Sequence, residues 1–256
     1  MPVSDNPSEP LSPPLASLRD NLESIQTAIH EACRRARRPR HEIELMAVSK
    51  TYPASTLLEA ASLGLTLFGE NRVQEFAAKA PDLAALRTSP TAARVHLIGH
   101  LQSNKAARAA ELFDAIDSLD SLRLAERLNE AAARLHKHLP VLLEIKLSTE
   151  GTKTGLDPDA PDTAALLERL PDLSHLHLQG LMTIAPWGVP DDQTRACFGA
   201  LRRIRDTWAA AHPRLDFHVL SMGMSGDFPI AIEQGATRIR IGTALFGKRK
   251  PYTGPQ

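Results

Sequence analysis

The stretch Ile43-Glu44-Leu45-Met46-Ala47-Val48-Ser49-Lys50 is a short apolar run that ends in a lysine, shortly before Pro53. The run is short for a helix and carries a β-branched residue near its end, so it predicts a buried strand. A lysine where such a strand leaves the core lies beside apolar neighbours. Desolvation there favours the neutral amine, which is the form that attacks carbonyls. The alternative is an ordinary strand-end lysine whose ammonium reaches water.

Seven further apolar runs follow this one, with helix-like segments between them. The eight predicted strands are Ile43–Val48, Leu65–Phe68, Val95–Gly99, Ala115–Leu119, Val141–Leu147, Leu178–Ile184, Phe217–Leu220 and Arg238–Gly242. The predicted helices between them are Ala54–Leu63, Val73–Lys79, Lys105–Leu112, Leu122–His136, Thr163–Leu170, Gln193–Ala211 and Pro229–Gln234. Strand–helix alternation predicts a parallel sheet with helices outside it. Eight such units in about 250 residues is the size of a (β/α)8 TIM barrel.

One more helix is predicted before the first strand, at Leu15–Arg37. Little chain follows the eighth strand, so we expect this extra N-terminal helix to cover the flank that a last helix would otherwise cover. An open doubly wound sheet is the alternative, and the lack of a G-x-G-x-x-G motif after the first strand favours the barrel. Residues 1–14 hold five prolines and three serines and are expected to be a disordered lead-in. Residues 15–256 are expected to form the barrel as a single domain.

The composition argues against several classes of protein. Thirty Lys and Arg residues balance thirty Asp and Glu residues, so neither nucleic acid nor a membrane surface is indicated as a partner. No apolar stretch approaches membrane-spanning length, and the N-terminus lacks the features of a signal peptide. The two cysteines, Cys33 and Cys197, lie in helical patterns without disulfide or metal-ligand spacing. We therefore expect a cytoplasmic protein without a metal site.

Active sites in such barrels lie at the C-terminal ends of the strands. The residues that the sequence places there are mostly polar: Lys50, Glu70, Asn71, His100, Gln102, Asn104, Ser118, Asp120, Lys146, Ser148, Met182, Thr183, Ser221, Gly242 and Thr243. Polar residues are expected there in any case, but a lysine after the first strand, many small donors and little acid are unusual together.

Two glycine- and hydroxyl-containing loops suit a phosphate. One is Ser221–Asp227, which precedes a helix, and the other is Gly242-Thr243 after the eighth strand. Backbone N–H groups in such loops bind anions, and barrels commonly hold phosphate in the loops after strands seven and eight. For the first loop, a plain Ser or Asp helix cap is the alternative. A phosphate site together with a Schiff-base lysine suggests pyridoxal 5′-phosphate, PLP.

Two arginines alternate along the eighth strand. Arg238 and Arg240 are two residues apart, so they face the same side of the sheet. An arginine inside a barrel is costly unless it is paired. A pyridine nitrogen could be such a partner.

The sequence resembles a known family, the PLP-binding homeostasis proteins, which look like a stand-alone alanine-racemase barrel. Seven blocks in the family's order carry the resemblance: Ala47–Thr51, Phe68–Asn71 with Val73–Glu75, His96–Lys105, Ser118–Ser121, Gly180–Ile184, Leu220–Ser225 and Arg240–Gly247. Together they are highly specific, and the resemblance covers nearly everything from about residue 15 onward.

The resemblance implies a role for eight residues. Lys50 would form the Schiff base with PLP, Asn71 would lie against the cofactor ring, and Arg240 would face the pyridine nitrogen. The residues that would surround the phosphate, partly through backbone groups, are Ser221, Met222, Ser225, Gly242 and Thr243.

Two positions depart from the family pattern. Arg72 stands where the family usually has tyrosine, and Glu144-Ile145-Lys146 where it often has Gln-Val-Asn. Lys146 is either a second amine near the barrel mouth or a solvated strand-end residue, and the second reading is favoured.

The resemblance is compatible with two functions. The first is a non-catalytic carrier that holds PLP in intracellular homeostasis, with apo forms of PLP enzymes as further partners and a monomer as the expected state. The alternative is an amino-acid racemase or decarboxylase on the same barrel. Racemisation needs acid–base groups on both faces of the substrate, and the sequence has only two tyrosines, Tyr52 and Tyr252. An arginine opposite the pyridine nitrogen also weakens the ring as an electron sink.

A third reading is a PLP-free class I aldolase that uses Lys50. It accounts for the lysine but not for Arg240 or the seven blocks. We therefore expect the carrier.

Overall fold

The structure, a computed structural model, describes residues 15–84, 86, 92–147 and 154–247. Eight parallel strands form a closed barrel in chain order, with β1 paired to β8. The strands are β1 Glu44–Val48, β2 Leu67–Glu70, β3 Arg94–Leu97, β4 Ala115–Leu119, β5 Leu139–Glu144, β6 Leu176–Met182, β7 Val219–Ser221 and β8 Arg238–Ile241. The predicted (β/α)8 barrel is confirmed and the open sheet is wrong, because the barrel has no edge. The predicted lead-in, residues 1–14, lies outside the described residues.

Helices surround the barrel and connect its strands. They are α1 Leu15–Ala36, α2 Ala54–Ser62, α3 Val73–Lys79, α4 Ala106–Leu112, α5 Leu122–Arg134, α6 Pro161–Arg169, α7 Asp191–Ala211, α8 Phe228–Glu233 and α9 Thr243–Phe246. Helix α5 shows why the predicted boundaries fall close to the observed ones. Ser121 accepts a hydrogen bond from the N–H of Leu124 at 3.3 Å and caps the helix, while Leu124 and Leu128 are fully buried on its inner face.

Several strand boundaries differ from the prediction, and two of these differences have a clear local reason. Leu65 was expected to begin β2, but its N–H donates to the carbonyl of Ala60, so it belongs to the exit from α2. Strand β5 was expected to continue to Leu147, but it ends at Glu144. Beyond it, Ile145 forms an isolated bridge with Leu156, because the chain pairs with its own returning loop.

The N-terminal helix α1 covers the seam between the last and first β/α units, as expected. It packs against α8 and α9, and the Asn21 side chain donates to the carbonyl of Leu245 at 2.9 Å. The Tyr52 hydroxyl, just after β1, donates to the carbonyl of Gly247 at 3.0 Å. Its ring centroid lies 5.0 Å from that of Phe246. The exit of β1 is thereby fastened to the short helix after β8.

A buried ionic layer crosses the inside of the barrel near the start of the strands. Arg238 contacts Glu44 at 2.7 Å and Asp117 at 3.0 Å, and His96 contacts Asp117 at 3.0 Å. Burial alone would raise the pKa of Asp117, but the charges of His96 and Arg238 lower it to about 2. The same two carboxylates, Asp117 and Glu44, raise the pKa of Arg238 against the effect of burial. This layer is internally compensated, so it forms a polar floor beneath the strand ends.

Candidate functional site

Lys50 lies in a tight turn directly after β1. The alternation that turns Glu44 toward Arg238 in the barrel gives residue 50 the same parity, and its side chain is half-buried. The N–H of Tyr52 donates to the carbonyl of Ser49 at 3.1 Å and closes the turn. Thr51, at the third position, has φ +70°, which a type II turn normally assigns to glycine or asparagine. For a β-branched residue this backbone costs about 1–3 kcal/mol, so surrounding contacts must hold it.

A buried ionic network supplies those contacts. The Lys79 ammonium donates to Glu70 Oε1 at 3.0 Å, to Glu75 Oε1 at 3.0 Å and to the Ser49 carbonyl at 3.3 Å. The Ser49 hydroxyl donates to Glu70 Oε1 at 2.7 Å, and the N–H of Thr51 donates to Glu75 Oε1. Glu70 is fully buried, and this burial raises its pKa although Lys79 and Ser49 oppose the rise. The network therefore makes hydrogen bonds to the backbone on both sides of Lys50.

Arg240 lies above the ionic floor, toward the strand ends. Its guanidinium is buried and donates to the Ser221 hydroxyl at 2.8 Å and to the Thr183 carbonyl at 2.9 Å. Among the residues that the structure describes, no carboxylate forms an ion pair with it, in contrast to Arg238. Burial lowers the pKa of Arg240, while the charges of Asp117, Glu144 and Asp227 act in the opposite direction from a greater distance. The site thus contains a buried cation without a contacting anion, and an acceptor on a bound ligand would meet this need.

The loop after β7 folds back against β8 and α9. The N–H of Arg240 donates to the Gly223 carbonyl at 2.9 Å, and the Ser225 hydroxyl accepts from the N–H of Ala244 at 3.2 Å. Gly223 has φ +94°, and a Cβ there would lie 2.5 Å from the Cβ of Ala231. Only glycine fits this close approach. The two loops predicted to hold a phosphate are therefore in direct contact.

The remaining residues that were predicted to surround the phosphate differ in their exposure and in the groups that they present. The Met222 side chain is fully buried in the hydrophobic core, and its N–H donates to the Arg238 carbonyl at 3.1 Å. Met222 therefore supports the loop from behind. Gly242 is half-buried beside Val48, since a Cβ on it would lie 3.5 Å from the Val48 Cβ, and Thr243 is exposed at the first turn of α9.

Asn71 joins the site from the loop after β2. It is half-buried, and its backbone lies so close to Gly99 that a Cβ on this glycine would be 2.3 Å from the Asn71 carbonyl oxygen. The Ser118 hydroxyl donates to the Gly99 carbonyl at 2.7 Å and holds that loop to the end of β4. Arg72 is exposed at the start of α3 and Lys146 is half-buried after β5, while Ser148 lies outside the described residues.

Three ionisable side chains also lie at the mouth of the barrel. His100 Nδ1 is 3.0 Å from Asp120 Oδ2, and Glu144 is buried with the Thr154 hydroxyl 3.5 Å from its carboxylate. Burial raises the pKa of Asp120 despite His100, and burial together with the charge of Asp120 raises the pKa of Glu144. The sequence identified His100 and Asp120 only as strand-end polar residues, so their pairing is new information about the mouth.

The structure places the eight predicted site residues at the C-terminal ends of β1, β2, β7 and β8, in the loops that follow them or, for Thr243, at the start of α9. Sequence reasoning overlooked the supporting residues Glu75 and Lys79. An available signal was their spacing of four residues on α3, which brings the two side chains together on one helix face.

Comparison with known proteins identifies the family of this chain. Residues 15–250 match the family described as alanine racemase, N-terminal domain, which is the class of barrel that the fold defines. The chain belongs within this class to the pyridoxal phosphate homeostasis protein family. It is 41% identical over 244 residues to such a protein from Vibrio cholerae, with 92% of this chain and 98% of that protein covered. It is 39% identical over 233 residues to the Escherichia coli K12 protein, with 90% and 95% covered.

Solved structures give the same result. PipY of Synechococcus elongatus, solved with PLP bound, is 40% identical, with a TM-score of 0.78 and with 90% of this chain and 100% of that chain covered. Alanine racemase of Clostridium difficile is 16% identical, with a TM-score of 0.70 and with 93% of this chain but 58% of that chain covered. At this identity the racemase shows the shared fold alone.

Proposed function

We propose that this protein binds PLP at the C-terminal mouth of the barrel and serves in PLP homeostasis. The observation that carries the proposal is Arg240, a buried guanidinium that contacts no carboxylate within the described part of the chain. The relatives, which are pyridoxal phosphate homeostasis proteins, and the PLP-bound PipY structure at 40% identity support the same ligand.

The residues at the mouth fit this cofactor. Arg240 would face the pyridine nitrogen, Asn71 would lie against the ring, and Lys50 would carry the covalent bond. The phosphate would lie at the joined loops, with donors from Ser221, Ser225, Gly242 and Thr243 and with Met222 supporting the loop from behind. When bound, PLP supplies an aldehyde whose carbon forms a C=N bond with a primary amine, with release of one water molecule.

The side chains of the site are suited to bind PLP but not to promote its reactions with amino acids. A guanidinium stays protonated, so Arg240 would donate a hydrogen bond to the pyridine nitrogen without giving it a proton. The ring would then be a weaker electron sink than one that faces a carboxylic acid. Tyr52 is buried, and its hydroxyl is turned to the carbonyls of Phe246 and Gly247. We therefore propose a non-catalytic carrier.

The covalent site is tested by borohydride reduction of the PLP-loaded protein, followed by peptide mass spectrometry. We expect the pyridoxyl group on Lys50, and Lys50→Ala should lose this adduct while it retains weaker, non-covalent binding, since the phosphate loops are separate from the lysine. A pyridoxyl group on Lys146 would contradict the assignment. A wild-type protein that gains no adduct would contradict the proposed function itself.

The His100–Asp120 pair favours a second candidate, an amino-acid racemase-like enzyme, because it places an acid–base group at the mouth. The test is to incubate loaded protein with each common amino acid and to follow chirality and release of CO2 and keto acid. The carrier predicts only slow background chemistry. Turnover of about 1 s⁻¹ or more, abolished by Lys50→Ala and by His100→Ala, would instead support the enzyme.

The setting in the cell is also part of the proposal. Among the described residues, no helix is long and apolar enough to cross a membrane. The balanced net charge supports the absence of nucleic-acid and membrane partners. We propose a cytoplasmic monomer that exchanges PLP with apo forms of PLP enzymes. Size-exclusion chromatography with light scattering tests the monomer, and reactivation of an apo-enzyme by the loaded protein tests the transfer.

A further inference from the structure

The turn that contains Lys50 is stabilised by side chains from another part of the chain. Helix α3 contributes both Glu75 and Lys79, one helical turn apart. Glu75 accepts the N–H of Thr51, and Lys79 donates to the carbonyl of Ser49. The two peptide groups that flank Lys50 are therefore fixed by two side chains that also contact each other at 3.0 Å.

The backbone conformation explains why such support is required. Thr51 has φ +70°, which a β-branched residue adopts only when its surroundings impose it. Glu75 is the side chain that accepts the N–H of this strained residue, and Lys79 orients Glu75 while its other donors engage Glu70. Without the Glu75 carboxylate, the Thr51 backbone could relax to a less strained conformation. The orientation of the neighbouring Lys50 side chain would then change.

We propose that Glu75, oriented by Lys79, is a positioning residue that aims the Lys50 amine at the cofactor aldehyde. This inference rests on the proposed PLP function and deepens it. Glu75 acts through the Thr51 backbone, so it affects the formation of the covalent bond and leaves the phosphate loops unchanged.

The test compares Glu75→Ala with Glu75→Gln, which keeps an oxygen acceptor for the Thr51 N–H. Each purified protein is mixed with PLP, samples are reduced with borohydride at intervals, and the adduct on the Lys50 peptide is measured by mass spectrometry. We expect Glu75→Ala to form the adduct about 10-fold more slowly, since misplacement of a reacting group by about 1 Å can cost up to 100-fold. Glu75→Gln should stay within about twofold of wild type, as should Gln74→Ala, an exposed neighbour on the same helix.

A second arm separates positioning from a general loss of structure. In the Lys50→Ala background no covalent bond can form, so non-covalent PLP affinity reports the rest of the site. Adding Glu75→Ala to that background should change the affinity by less than about twofold, as expected for an effect that acts only through Lys50. A loss of affinity there as large as the loss in adduct rate would overturn the proposal, because Glu75 would then be a structural residue.

The outcomes also separate this inference from the proposed function. A wild-type protein that acquires no adduct on Lys50 refutes both. A wild type that acquires it, together with a Glu75→Ala variant that acquires it at the same rate, refutes the positioning role alone.

Discussion

The two buried arginines of β8 should respond in opposite ways to the same substitution. Arg238 is held by Glu44 and Asp117. The Arg240 guanidinium donates to the neutral Ser221 hydroxyl and to the Thr183 carbonyl, and it pairs with no carboxylate among the described residues. Methionine is a suitable replacement at both positions, because it keeps much of the length of the side chain and removes the charge. The matched pair is Arg240→Met and Arg238→Met.

The magnitudes follow from the partners of each arginine. Arg240→Met leaves no contacting carboxylate uncompensated, but it removes one charge-assisted hydrogen bond to the ligand, worth about 1.5–3 kcal/mol. PLP affinity should therefore fall by about 10- to 150-fold, with a small change in the free energy of unfolding. Arg238→Met leaves the buried Asp117 paired with His96 alone. Removal of one partner from a buried ion pair typically costs about 3–5 kcal/mol of stability. PLP affinity of the folded protein should change little.

The assays are fluorescence titration of apo-protein with PLP and urea unfolding of each variant. The double variant Arg238→Met/Asp117→Asn is the control, because removal of both charges should recover part of the lost stability. Equal losses of PLP affinity in the two single variants would show that the barrel does not divide into a structural floor and a ligand-facing layer. A large loss of stability in Arg240→Met with unchanged affinity would refute the role of Arg240.

Three further predictions concern stability, measured by urea unfolding. The Asp117 pKa is about 2 in the folded protein against 3.8 ordinarily, so its contribution of about 2 kcal/mol is present above about pH 4 and is lost as pH falls through 2. The stability difference between wild type and Asp117→Asn should shrink accordingly, and a difference independent of pH would contradict this. Gly223→Ala should cost about 2 kcal/mol through backbone strain and overlap with Ala231, whereas Gly226→Ala, with open space around its Cβ, should stay within about 0.5 kcal/mol; equal effects would refute the argument. Tyr52→Phe should cost about 1 kcal/mol for the hydrogen bonds it loses to the α9 carbonyls, and no loss would mean that these bonds are replaced by water.

The strand–helix alternation was sufficient to predict the barrel because most strand residues are buried and form short apolar runs. The ends of the strands were less predictable, since hydrophobicity continues past the last paired residue. Phe217 illustrates the difference: it was predicted to begin the seventh strand, but β7 begins at Val219. Phe217 is buried because its ring packs near Trp208 on α7, with centroids 6.4 Å apart. Burial and strand pairing are separate properties, and the sequence pattern reports mainly burial.

In the candidate site, too, the sequence predicted some features and not others. Alternation along β8 was enough to place Arg238 and Arg240 on one face, but the carboxylates that pair with Arg238 come from strands far away in the chain. Asp117, which pairs with Arg238, is 121 residues distant. The support of Lys50 by Glu75 and Lys79 depends on the close contact between α3 and the turn after β1. A helix with an acid and a lysine four residues apart has the same pattern as a solvated surface pair, so the sequence alone could not distinguish the two.

The position of β8 at the end of the barrel affects the order in which folding and formation of the binding site occur. It closes the barrel against β1, and it supplies both the cation that neutralises the floor and the cation proposed to meet the ligand. During synthesis it is the last of the eight strands to leave the ribosome, so the growing chain carries Glu44 and Asp117 without Arg238 until then. Closure of the barrel and formation of the binding site thus coincide. A partly made chain therefore lacks both the closed barrel and Arg240.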